Sequence, residues 1–242
     1  MKYKLICCEV FMREACFSIA GTSSTIDPEF TPKGAHEKSD YLRELIQSKI
    51  DAVHSNEGYD AILLGFGLCG NSMLGITARS IPLVVPRAHD CCTIFLGSRE
   101  KFVENFKENL SKEWSSTGYM ERGDSYLRDS DVGKSLGIKT AYEEFVEQYG
   151  EDNAKYLWET LHPQSNDNEL IFIEIPETSH LGYCQKLKTL AAGDGKTVKI
   201  LDGDIRLIKG LVEGNWGDDE YLVVPPGKTV KAVYDYERII TV

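Results

Sequence analysis

The chain has 242 residues, 42% of them hydrophobic and 27% charged, and a formal net charge of −11 at pH 7. That length holds one large domain or two small lobes around a substantial core. The acidic balance, with no long Lys/Arg run, excludes nucleic acid as a partner. Apolar runs of about eight residues are too short to span a bilayer, so no membrane association is expected. The opening MKYKLICCEV lacks the apolar stretch and cleavage site of a signal peptide, which predicts a cytoplasmic protein. Seven cysteines, an odd number, argue against a disulfide framework there. The absence of any C-x-x-C pair excludes a zinc ribbon and a thioredoxin-type site.

Lys4–Cys8 reads as a short buried strand, followed by a helical stretch through Glu14. Thr22 to Lys33, with two prolines, reads as loop or edge strand. Ser39 is placed to cap a helix reaching about His54, with Leu42, Leu45, Ile46, Ile50 and Val53 as its apolar stripe. Ala61–Phe66 and Ile81–Val85 are continuous apolar runs, as in a parallel sheet covered on both faces. Between them, a glycine-bracketed turn around Cys69 leads into a helix predicted from Asn71. Ser98 is placed to cap a helix over Lys101–Leu110. Trp114 to Lys134 reads as a loop or short hairpin lying over the cleft, Thr140–Tyr149 and Asp152–Leu161 as helices, and Pro163–Asn168 as a linker.

A second α/β section starts with a strand at Leu170–Ile175. A turn through His180, a helix over Leu181–Ala191, a strand at Val198–Leu201 and a helix to about Val212 follow. Tyr221–Val224 and Thr229–Val233 read as a terminal hairpin. The fold class is therefore α/β: a three-layer, mainly parallel sheet with helices on both faces, with two similar Rossmann-like lobes as a further option. The expected sections are an N-terminal α/β section over 1–120, a helical connector over 121–168, and a C-terminal α/β section over 169–242.

Chemistry concentrates where the strands end, which is where open α/β sheets bind ligands. Cys8, Cys69 and Cys91 each follow an apolar strand closely. Neighbouring parallel strands lie about 4.8 Å apart, so these thiols can reach one centre. Three thiolates with one open position suit an iron–sulfur cluster with an accessible iron. With His89 the set becomes Cys3His, which also suits zinc. Reactive-thiol chemistry and plain core packing are the alternatives, since unpaired cysteine packs as a small hydrophobe. Gly65, Gly67 and Gly70 match G-x-G-x-x-G, but no acidic ribose partner follows the next strand, so the glycines are expected to bring backbone close to a bound group. Gly67, Gly70, Asn71, Ser98 and Arg99 are the candidate cofactor-binding residues. His89 is a ligand or proton-transfer candidate, Arg87 and Arg99 are candidate clamps for an anionic substrate, and Glu9, adjoining Cys8, is a candidate acid/base. His180 is a weaker candidate than these. His36, His54 and His162 carry no motif.

At these residues the chain resembles a family of domains of unknown function from anaerobic bacteria and methanogenic archaea. That family's pattern is A-C-E-V-x-x-R-E, then L-G-Y-G-L-C-G-N-G, then P-L-V-I-P-R-A-H-D-C-I-T-L-x-L-G-S-R-E. The matching stretches here are Cys7-Cys8-Glu9-Val10 with Arg13-Glu14, Leu64 through Asn71, and Pro82 through Glu100, with a looser match at LVVPPG near the C-terminus. The resemblance sets Cys8, Cys69, His89 and Cys91 at family positions and leaves Cys7, Cys16, Cys92 and Cys184 outside. Ser72 stands where the family has glycine, and STGYMERGDS replaces a tyrosine-rich family segment ending P-G-W, which changes what lies over the cleft. Family members are often encoded near corrinoid-dependent methyltransferases, so the resemblance implies anaerobic one-carbon metabolism.

The expectation is thus a metalloprotein, on balance an enzyme, in which Cys8, Cys69 and Cys91 hold a [4Fe-4S] cluster. His89, Arg87 and Glu9 would handle a small-molecule substrate or protons. A zinc site activating a thiol for methyl transfer is the nearest variant. A non-catalytic accessory that binds a corrinoid, a metal, or a partner such as a corrinoid protein or methyltransferase is the second class. A small-molecule binder with core cysteines is the third.

Overall fold

A computed structural model describes residues 1–107, 112–123, 146–147, 150–151, 153–155, 168–233 and 238–242, with the side chains of residues 36 and 37 left aside. The chain forms a three-layer α/β structure. In its main sheet the strands run in the order β2 (Thr25–Thr31), β1 (Lys2–Cys8), β3 (Ala61–Gly65), β4 (Leu83–Pro86) and β8 (Tyr221–Val224). The first four are parallel and β8 runs antiparallel along β4. β3 and β4 are buried at every residue, as their unbroken apolar sequence requires. β2 is the half-exposed edge, and its Pro28 sits where a missing N–H is tolerated.

A second, all-parallel sheet has the order β5 (Trp114–Ser116), β6 (Glu169–Glu174), β7 (Thr197–Asp202). One apolar cluster joins the two sheets, since Ile171, Ile173 and Ile175 belong to the same core as Leu5, Leu63 and Val84. The section beyond residue 169 does not stay on its own sheet. Helix α7 (Arg206–Glu213) packs on α1 (Met12–Gly21), β3 and β4, and β8 extends the main sheet. The remaining described helices are α2 (Ser39–Asp51), α3 (Cys91–Leu96), α4 (Arg99–Phe106), α5 (Thr117–Glu121) and α6 (Tyr183–Gly193). Among the described residues no helix is long and apolar enough to cross a membrane.

Several expectations are corrected. No helix starts at Asn71: Cys69, Gly70 and Asn71 take φ of 42°, 61° and 70°, a left-handed run that only a turn accommodates. Ser39 is not a cap but the first residue of α2, and its hydroxyl donates to the Gly70 carbonyl at 2.7 Å. Tyr221–Val224 and residues 229–233 do not pair with each other. β8 goes to β4, and β9 (Lys231–Ala232) pairs with β10 (Ile240–Thr241). The described part of Trp114–Lys134 is strand β5 and helix α5 rather than a loop. The helices predicted over 140–149 and 152–161, the 163–168 linker and His162 lie largely outside the described residues. Ser98 caps α4 as predicted, its hydroxyl accepting from the Lys101 N–H.

Candidate thiol centre

Three segments carry the predicted cysteines together. Cys8 closes β1 and is buried. Cys69 stands in the left-handed turn after β3, half-buried, on the solvent side of the group. Cys91 begins α3, whose N-cap Asp90 accepts from the Thr93 N–H at 3.0 Å.

The turn carrying Cys69 is sewn to the loop before Cys91 by two backbone bonds. Leu68 N–H donates to the Ala88 carbonyl at 2.8 Å, and Cys69 N–H to the His89 carbonyl at 2.9 Å. Gly67 permits this approach, because a Cβ there would lie 2.6 Å from the Asp90 Cα. The glycine, expected to bring backbone near a bound group, brings it near Asp90.

The result is a thiol cluster centred on Cys91. Its sulfur lies 3.7 Å from that of Cys69 and is hydrogen-bonded with it, and Cys8 is near enough to act on its titration. Those two neighbouring thiols, and then burial, push the Cys91 thiol well above its ordinary pKa. Tyr119 of α5 is buried beside it. Burial first, and then the three neighbouring sulfurs, drive that phenol well above its usual value. The Lys33 side chain, 0% exposed, places its Nζ 5.7 Å from the centre of the Tyr119 ring, within cation–π range. Neither Tyr119 nor Lys33 was singled out by sequence. Tyr119 lies inside the segment that departs from the family pattern, and Ser116, which accepts from its N–H and caps α5, is the readable trace of its placement.

The other predicted residues are held in different ways. His89 is half-buried and stacked on Phe102, with ring centres 5.5 Å apart. Glu9 accepts from the Lys33 N–H at 2.8 Å and lies 3.6 Å from Arg122 Nε. Arg87 is not brought to the thiols. It is only 7% exposed, and its guanidinium donates to the carbonyls of Asp218, Arg238 and Ile240. That geometry assigns it to anchoring the C-terminal strands rather than to clamping a substrate. Ser98 and Arg99 sit at the start of α4, where Ser98 lines a separate cavity of about 330 Å³ with Lys101, Asp204 and Arg206. The Asn71 carbonyl accepts from Arg43 at 3.1 Å, and Gly70 accepts from Ser39.

Among the described residues no group of three or more His, Cys, Asp or Glu side chains is arranged to hold a metal ion. The thiols meet in pairs through Cys91. The donor chemistry can still be weighed against size. Zinc–sulfur bonds of about 2.3 Å in a tetrahedron put two ligand sulfurs about 3.8 Å apart. The 3.7 Å between Cys69 and Cys91 fits two donors on one ion. A four-iron cube binds its cysteines on different irons and holds them farther apart.

A family model described as protein of unknown function (DUF1638) matches residues 30–212. The match spans Lys33, Cys69, Cys91 and Tyr119; Cys8 precedes it. No curated protein and no solved structure matches the chain.

Proposed function

The chain belongs to the family described as protein of unknown function (DUF1638), and on that premise we propose that Cys8, Cys69 and Cys91 form a metal–thiolate centre for one soft ion, zinc by preference. The observation that carries this reading is the 3.7 Å spacing of two sulfurs on a thiol that a third also reaches. Thiolate donors select soft ions, and three of them leave one position for a substrate or a fourth ligand. A bound zinc ion would keep its thiolates ionised near neutrality and would activate a coordinated substrate thiol.

This chain's own residues set the terms of that chemistry. Without the ion, hydrogen bonding and burial hold the Cys91 proton in place, so loading releases protons and strengthens as pH rises. Tyr119 and the Lys33–Glu9 backbone contact close the buried side, while Cys69 faces solvent. A substrate therefore approaches from the Cys69 side. We read the protein as an enzyme acting on a small thiol or a methylated small molecule. The corrinoid protein or methyltransferase implied by the resemblance is the partner to test.

A second reading rests on the same contact: Cys69 and Cys91 are close enough for a modest shift to reach the roughly 2.05 Å of a disulfide. Anaerobic purification followed by metal analysis separates these readings. Zinc near one per chain, lost in Cys8→Ser, Cys69→Ser and Cys91→Ser while circular dichroism is retained, is the expected result. Iron with sulfide and a brown colour would replace zinc with a cluster. A metal-free protein that forms a Cys69–Cys91 disulfide in air would overturn the metal centre.

A further inference from the structure

A cavity of about 600 Å³ lies along α1, α5 and the 3-10 turn Pro176–Leu181, lined among others by Glu14, Phe17, Glu121, Arg122, Glu177 and His180. Its size suits a small organic ligand. Glu14 is 2% exposed, and neither of its carboxyl oxygens has a hydrogen-bond partner. Glu177 enters from the 3-10 turn Pro176–Leu181 and has a buried Oε2 in the same condition. Leaving such acceptors unmet is costly, and a group in that state calls for an explanation.

The cations nearby are paired elsewhere, although the buried Arg122 Nε has no hydrogen-bond partner. Arg13 holds Glu121 through Nε at 2.7 and 2.8 Å. Arg122 lies against Glu9 and the Met12 sulfur. The Glu14 carboxyl and the Glu177 Oε2 are left without hydrogen-bond partners in a shared space that Met12, Phe17 and Leu181 line with apolar surface and Cys16, Thr178 and His180 with polar groups. Phe17 is 58% exposed, an aromatic ring standing at the edge of this space without cover.

We propose that this cavity binds a small organic cation with N–H donors, an amine or amidine on an apolar body, held between Glu14 and Glu177 with its body against Phe17. Unmet carboxylate oxygens want donors, which favours a protonated amine or amidinium over a quaternary ammonium. The carboxyls are not grouped for a metal ion, as already noted.

Burial raises the Glu14 carboxyl to about 7. A bound cation favours the ionised form, so binding expels a proton below that pH. Around Glu14 are Arg13 and Cys16 of its own helix, Cys7 of β1, Glu121 and Arg122 of α5, and Glu177 and His180 of the turn. Affinity therefore climbs from pH 6 to about pH 7 and then levels.

The test is calorimetric titration of the full chain with benzamidine and benzylamine, with benzamide as the neutral match, at pH 6 and pH 8. The two cations are expected to bind at least about tenfold more tightly than benzamide. Glu14→Gln and Glu177→Gln are each expected to weaken them by a similar factor while far-ultraviolet circular dichroism stays unchanged. The gain between pH 6 and pH 8 should vanish in Glu14→Gln and persist in His180→Gln. Equal binding of benzamide, undiminished binding in both glutamine variants, or no binding of either cation at pH 8 would overturn the proposal.

Discussion

Gly118, the second residue of α5, lies against the 3-10 turn that follows β1 so closely that a Cβ would sit 1.8 Å from the Val10 carbonyl oxygen. No side-chain rotation relieves a clash between backbones. Gly118→Ala should therefore destabilise by about 3 kcal/mol or more, read from the urea midpoint, and should part Tyr119 from Cys91. Glu14 gives a second test at this scale. Its carboxyl sits near 7 in the folded chain against an ordinary 4.5, so the folded state binds the extra proton between those values. The stability this group contributes is complete below about pH 4.5 and is lost as pH rises through 7, on the order of 3 kcal/mol in all. Thermal unfolding of wild type and Glu14→Gln across that range checks it, since the variant should lose this slope.

Among the elements, those whose neighbours in sequence determine them were the legible ones. The stripe Leu42, Ile46, Ile50 gives α2 and the apolar runs give β3 and β4, because burial imposes a period on the sequence. The meeting of Cys8, Cys69 and Cys91 was legible too, since parallel strands bring their ends to one rim. What sequence did not show depends on partners far along the chain. β8 looks like half of a hairpin until the open edge of β4 is known. Arg87 looks like an anion clamp until its carbonyl partners, 131 to 153 residues away, are in place. Tyr119 reaches the thiols only because β5 pairs with β6, some 55 residues on. The anchoring role of Arg87 is testable here. Arg87→Ala leaves three buried or half-buried carbonyls without their donor, and should cost about 3 kcal/mol. Hydrogen exchange should show β9 and β10 losing protection well before β1 and β3 do.

For the molecule as a whole, the two sheets share the larger apolar cluster, a smaller one of Met120, Leu170, Phe172 and Leu187 lies on the second sheet, and β8 completes the main sheet. A fragment ending at residue 168 would lack α7 and β8, exposing the faces of β3 and β4 that α7 covers and one full edge of β4. Such a fragment should give no cooperative urea transition, while the full chain unfolds in one step. Separate transitions in the full chain would mean that the core is divided.

β8 pairs with the strand whose following loop leads to Cys91, yet it is made some 130 residues later. During synthesis some 130 residues must follow Cys91 before that edge can close. Through that interval the three sulfurs travel on an unfinished scaffold, open to oxygen and to whatever metal the surroundings supply. On the proposed reading, loading and folding of this chain are matters of timing, and growth conditions will decide how much of the translated product carries an ion.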